Sequence, residues 1–232
     1  MPTARERVRA ELTDEITDAA RRQLAEVGAA ALSLRAVARD VGMASSAVYR
    51  YFPSRDDLLT RLIIDGYDDV GAAAEAADDP SAPPRERWLA VCRAVRAWAV
   101  AHPHEYALLY GSPVPGYEAP KDTVPAASRV GVVLGRILGD AAHSGALPPA
   151  SGERDAALVS AEAVAVLGGE HPSLDEAVRV RALLAWSALF GTISFELFGH
   201  FVGSVEDGDR YFDRAMGELA GLIGLPAPTG AE

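Results

Sequence analysis

The stretch from Ser33 to Ser54 constrains the fold most. A tight Gly42-Met43-Ala44 turn and a Pro53-Ser54 break leave room for two short helices, Leu34–Val41 and Ala44–Tyr51. Ser33 stands where the first would be capped, and Gly42 where it would end. Ala38, Val41, Val48 and Phe52 are the apolar residues that can hold the pair together. Helix-turn-helix units join their helices in this way, and the second helix enters the major groove. A second helix of about eight residues fits a groove ~12 Å wide.

The net charge is −11, from 22 Lys+Arg against 33 Asp+Glu. As an average it argues against a nucleic-acid partner. The average hides an asymmetry. Residues 1–61 hold ten arginines and nine acids, leaving twelve basic and twenty-four acidic residues for the rest. Such a split points to surfaces with different tasks. Within the less acidic part, Ser45 and Ser46 can exchange hydrogen bonds with base edges. Tyr49 and Tyr51 can reach phosphate oxygens, and Arg50 and Arg55 can pair with phosphates. The plainer readings stand beside these. Ser45 and Ser46 also suit helix capping, Tyr49 also suits a core with its hydroxyl satisfied, and Val48 and Phe52 read as core.

No strand-like alternation stands out, and Ala, Leu, Arg and Glu dominate, so the fold class is all-α with about nine helices. A stripe of Ile16, Ala19, Ala20, Leu24 and Val27 marks a first helix from Thr13, stopped at Gly28. Ser54 caps a helix from Arg55 to about Ala76. Further helices are expected over 85–101, 104–111, 126–144, 153–168, 174–199 and 208–224. Four prolines between Ser112 and Pro125 mark a loop, a candidate lid or dimer arm. The division expected is a DNA-binding domain over 1–60, a helical ligand-binding and dimerisation domain over 61–225, and a disordered tail over 226–232. A lone Cys92 excludes an internal disulfide, and no run of ~18 apolar residues lacks a charge. The N-terminal residues run into a charged segment and not an apolar one, so a cytoplasmic chain without a signal peptide is expected.

Residues 13–62 resemble the N-terminal domain of the TetR family of transcriptional repressors. The matching text is Ala31-Leu32-Ser33-Leu34-Arg35-Ala36-Val37-Ala38-Arg39-Asp40-Val41-Gly42, then Ala47-Val48-Tyr49-Arg50-Tyr51-Phe52-Pro53-Ser54-Arg55-Asp56-Asp57-Leu58-Leu59. Arg55 replaces the family's usual Lys and keeps the charge. The resemblance implies a homodimer on a palindromic double-stranded operator, released when a small molecule enters the C-terminal domain. It also implies base contacts from Arg35, Ala44, Ser45 and Ser46, and phosphate contacts from Ser33, Tyr49, Tyr51 and Arg55. Tyr106 to Tyr117 resembles a motif of one subgroup, named for a Trp-His-Gly signature. Trp186–Gly191 stands where that signature belongs, with Phe190 in place of the His.

Residues 174–199 form the most apolar helix expected, hydrophobic nearly all round, so it must be covered on all sides. A second subunit is the natural cover. Leu183, Trp186, Ser187, Phe190, Ser194 and Phe198 are the interface candidates there, with Phe212 and Met216 on the final helix. A buried central helix of a monomer is the alternative. For a ligand pocket the aromatic candidates are Trp88, Trp98, Tyr106, Tyr110, Tyr117 and Phe190, with His102, His104, Glu162 and Glu196 as polar groups. Ordinary core packing competes at every one of these aromatics. His102, His104, His143, His171 and His200 are scattered, and the close pair spans a proline, so no metal site is expected. No nucleophile elbow, phosphate loop or other cofactor motif occurs, so neither an enzyme nor a cofactor is expected. The expectation is a ligand-responsive repressor. The alternative is a helical small-molecule-binding protein that has lost sequence-specific DNA binding.

Overall fold

The computed structural model describes residues 3–147, 158–160, 163, 176–225 and 227. Among these residues the chain is all-α, with nine α-helices, two 3-10 turns and no strand. The helices are α1 (Ala4–Val27), α2 (Leu34–Asp40), α3 (Ser45–Val48), α4 (Arg55–Ala77), α5 (Pro84–Ala101), α6 (Pro103–Tyr110), α7 (Val124–His143), α8 (Glu176–Leu197) and α9 (Gly208–Ile223). The helix expected over 153–168 and the tail expected after Leu225, Ala227 apart, fall outside the described residues.

Two boundaries differ from expectation by more than two residues. α1 begins at Ala4 and not near Thr13, because Thr3 and Glu6 form a reciprocal cap. Thr3 N–H donates to Glu6 Oε2 at 2.7 Å, and Glu6 N–H donates to Thr3 Oγ1 at 3.3 Å. α3 is shorter than Ala44–Tyr51; after Val48 the chain continues in tight turns, with Arg50 N–H on Ala47 O and Tyr51 N–H on Val48 O. α4 starts as expected: Ser54 Oγ accepts from Asp57 N–H at 3.0 Å and donates to the Asp57 carboxylate at 2.6 Å.

The chain forms two compact units. The first holds residues 1–68 together with 102–126, so α6 and the proline-rich loop belong with the N-terminal helices. Its core is Ile16, Ala19, Ala20, Leu32, Leu34, Val37, Ala38, Val48, Phe52, Leu58, Leu59 and Leu62. Leu108, Val114 and Tyr117 pack against that core. Tyr117 and Thr60 share a hydrogen bond of 2.9 Å. Tyr110 meets Tyr67 edge-on and Tyr106 at a tilt, and burial pushes the Tyr110 hydroxyl up.

The second unit holds residues 69–101 and 127–232. Here α9 packs on α8 and α5. Trp88 is buried and donates its indole N–H to Met216 O at 3.2 Å. Arg96 lies over the Phe212 ring and pairs with Glu196 at 2.6 Å and Asp209 at 2.7 Å. Gly71 lets α7 pass close to α4: an added Cβ would stand 2.7 Å from the Arg129 side chain, which reaches Glu75 at 2.6 Å. The Asp78 side chain is fully buried between two arginines, Arg87 at 2.6 Å and Arg136 at 2.7 Å. Arg87 also reaches Asp140 at 2.8 Å.

Candidate nucleic-acid interface

The turn between α2 and α3 requires Gly42, whose φ is +68°. Met43 N–H donates to Ala38 O at 2.8 Å and Gly42 N–H to Arg39 O at 3.2 Å, which close α2 and aim the chain into α3. Val37, Ala38 and Val48 are fully buried on the inner side. The outer side is polar. Arg35, Ala44, Ser46, Tyr49 and Arg50 are exposed, and Ser33, Ser45 and Tyr51 are half-buried. Tyr49 is 43% exposed, so its place is not the core. Val48 and Phe52 do lie in the core.

No side-chain hydrogen bond caps α3, where Ala44 holds the N-cap position. Neither serine hydroxyl is therefore used for capping. Ser33 stands at the N-cap of α2 without a side-chain cap bond; its N–H donates to Gln23 Oε1 at 2.6 Å. The hydroxyls that sequence reasoning assigns to either capping or contact are thus left available on this face.

Arg55 has a structural task beside the expected one. Its guanidinium donates to three carbonyls of the turn after α1: Ala29 at 2.8 Å, Ala30 at 3.2 Å and Leu32 at 3.2 Å. Nε and Nη2 are thus held by backbone carbonyls, while Nη1 lies 3.7 Å from Asp56 Oδ1. Other arginines of this unit are tied as well. Arg21 pairs with Asp18 and Asp65, Arg22 with Asp40, and Arg61 with Asp14 and Asp65. Arg5, Arg7, Arg9, Arg35, Arg39 and Arg50 are exposed, with no acidic partner within salt-bridge distance among the described residues. These arginines stand at the start of α1, on α2 and in the turn after α3, and Arg9 is the one of them that reaches that turn. Sequence reasoning missed Arg9. Its guanidinium lies 5.3 Å from the Tyr51 ring centroid and reaches Arg50 O at 3.5 Å. The Thr3-x-x-Glu6 spacing was the signal that α1 extends far enough to place it there.

Two family models match the chain. Residues 16–62 match the tetR family of bacterial regulatory proteins, and residues 88–219 match the tetracyclin repressor-like C-terminal domain. The chain belongs to the tetR family. It is a DNA-binding, ligand-responsive transcriptional regulator of the helix-turn-helix kind. The HTH-type transcriptional regulators Mb1846 of Mycobacterium bovis and Rv1816 of Mycobacterium tuberculosis are each 41% identical to it over 209 residues, which are 85% of this chain and 84% of theirs. The solved structure of the regulatory protein SCO4313 superposes with a TM-score of 0.75 at 34% identity, covering 94% of this chain and 100% of that one.

The ligand-pocket candidates are divided between the units of this tetR-family chain. Tyr106, Tyr110 and Tyr117 lie in the first unit, and Trp88, Trp98 and Phe190 in the second. Glu162 lies outside the described residues. Trp88 and Tyr106 are fully buried as packing residues. The dimer candidates divide too. Leu183 and Ser187 on α8 and Phe198 just beyond it are exposed, and Trp186 and Ser194 on α8 are half-buried. Phe190 is buried and meets Trp186 edge-on at 5.3 Å. Phe212 and Met216 are corrections: each is 1% exposed, packed inside its own unit beneath α5. In their place α8 shows Val180, Leu184 and Phe195, and α9 shows Tyr211 and Leu222. Among the described residues α8 is the one helix long and apolar enough to cross a membrane, with a mean hydropathy of 1.3. Its apolar surface is shared between α9, α5 and this open face.

Proposed function

We propose that this regulator is a homodimeric repressor that occupies a palindromic operator and leaves it when a small molecule binds. The observation that carries the DNA contact is the outer side of the α2–α3 turn, where Arg35, Ser46, Tyr49 and Arg50 are exposed over a buried apolar backing. Exposed polar residues on a rigid backing suit readout, because little side-chain order is lost from the scaffold on binding. Arg35, Ala44, Ser45 and Ser46 are the base-edge contacts of this reading. Ser33, Tyr49, Tyr51 and Arg50 contact phosphates.

Two units are required because half-sites one helical turn apart need two reading heads. The open face of α8 supports such pairing. Val180, Leu184, Ser187, Gly191, Phe195 and Phe198 recur every three or four residues along one side. An added Cβ at Gly191 would meet nothing within 4 Å, so a partner helix could approach closely there. The regulator acts in the cytoplasm, where its operator is. The effector enters the second unit, whose helices lie apart from the reading head in sequence.

The test is unbiased selection from random duplexes with the full chain, followed by mobility shift on the selected sequence and on DNA flanking the protein's own coding region. A palindromic consensus is the expected result. No selected sequence after repeated rounds would return the chain to the reading in which the helical protein has lost DNA recognition.

A further inference from the structure

The start of α1 projects beyond the core that the rest of the helix anchors. Ile16, Thr17, Ala19, Ala20 and Leu24 form the buried stripe of α1. Continued outward at helical spacing, the same side carries half-buried Leu12, then Arg9, then Arg5. The stripe that is apolar inside the unit is cationic beyond it. Glu6 on this segment is held by the Thr3 cap, and Glu11 stands about 200° round the helix from Arg9.

Arg9 is fixed against the reading element itself. Its guanidinium lies 5.3 Å from the centroid of Tyr51 and within 3.5 Å of Arg50 O, both in the turn directly after α3. Stacking on the ring holds a long side chain in one orientation, which lowers the entropy lost on pairing. One of five guanidinium donors is used on Arg50 O. Among the described residues neither Arg9 nor Arg5 has a carboxylate within ion-pair distance, although acids outnumber bases in the whole chain. A cationic row continuous with the reading face is complementary to one neighbouring polyanion, the phosphate backbone of the same duplex.

We propose that one side of the outer part of α1 is a second DNA contact, in which Arg9, with Arg5 one turn farther out, pairs with phosphates flanking the bases read by α3. The proposal rests on the DNA-binding reading above. It assigns a backbone contact that adds affinity without adding base preference.

The experiment is anisotropy titration of the full chain on its selected operator, at several salt concentrations, with long flanks and with flanks trimmed. Arg9→Ala should weaken binding to the long-flanked operator about fivefold to tenfold and lower the log–log salt slope by about one unit per subunit. Its selected consensus should stay unchanged. Arg9→Lys should retain most of the slope, because the charge is kept. Arg7→Ala, about 200° round the helix, should bind as wild type does. Trimming the flanks should bring wild type down to the level of Arg9→Ala. If Arg9→Ala does not fold, Arg5→Ala carries the test alone, since Arg5 makes no contact with Tyr51. An unchanged slope in the folded variant, or an equal loss from Arg7→Ala, overturns the proposal while leaving the operator reading intact. A wild-type chain that selects no sequence overturns both.

Discussion

At Arg55 charge and geometry point in different directions. The residue keeps the positive charge of the family motif, yet its guanidinium joins the start of α4 to the turn after α1 through three carbonyls. Arg55→Ala should therefore cost about 1–3 kcal/mol of stability, because it leaves acceptors of a half-buried turn unpaired. The salt slope of operator binding should stay that of wild type. Urea unfolding beside a salt titration separates the two outcomes, and a flattened slope at unchanged stability would restore Arg55 to the phosphates. Asp78 makes a different prediction. Burial pushes its carboxyl up, but the hydrogen bonds and charges of Arg87 and Arg136 outweigh burial and hold it below the usual carboxylate range. Between that lowered value and the unfolded value of about 3.9, the unfolded chain binds a proton that the native chain does not. Stability from this group is therefore complete above the unfolded value and lost as pH falls through the window. Asp78→Asn should lose about 3–5 kcal/mol near neutral pH, since two guanidinium groups lose their shared partner. It should also show a shallower decline in acid. A variant with the wild-type midpoint at neutral pH and the wild-type decline would remove Asp78 from the stabilising network. Cys92, fully buried, has its thiol pushed up by desolvation, in keeping with a packing role.

Among the elements, α2 and the Gly42 turn that ends it are where sequence and structure agree most closely. Gly42 occupies a left-handed conformation, and a Cβ added there would meet nothing within 4 Å, so its demand is conformational and not steric. Gly42→Ala should cost about 1 kcal/mol or more through the backbone alone and reduce operator affinity by disturbing the angle of α3. Thermal midpoint and affinity should fall together; an unaffected affinity would show that the turn tolerates the change. The helix boundaries are less legible. α1 shows its apolar stripe only from Ile16, where it meets the core, so periodicity places the start too late. Its first turns depend on the Thr3–Glu6 cap, a local signal with no apolar period. The Pro53-Ser54 break leaves the expected α3 running on to Tyr51. The chain instead tightens after Val48, which still buries Phe52.

For the molecule as a whole, the open apolar face of α8 and α9 makes the oligomeric prediction. Leu184 is 53% exposed and Phe195 51%. Leu184→Glu should place a charge in the proposed two-fold interface and shift the chain toward monomer at micromolar concentration, as read by sedimentation equilibrium. Operator binding should weaken with it, because one reading head holds only one half-site. A wild-type chain already monomeric at that concentration would discard the interface. The charge asymmetry is also a property of the whole molecule. The excess of acid lies outside the reading unit, which predicts weak attraction to random duplexes beside binding to the operator.

What the sequence determined by itself was the class of structure and the reading unit. Helical periodicity, Gly42, Pro53 and the run through Leu59 are local signals, and local backbone and packing rules suffice to interpret them. What only the tertiary structure decided was how those residues are used. Whether an arginine meets an acid, a carbonyl or a ring depends on residues far away in sequence, as Arg55 with Ala29 and Arg9 with Tyr51 show. The same holds for Phe212 and Met216, whose helical face is apolar in sequence but buried by α5 and not by a partner. Periodicity says which side of a helix must be covered; the fold alone says by what.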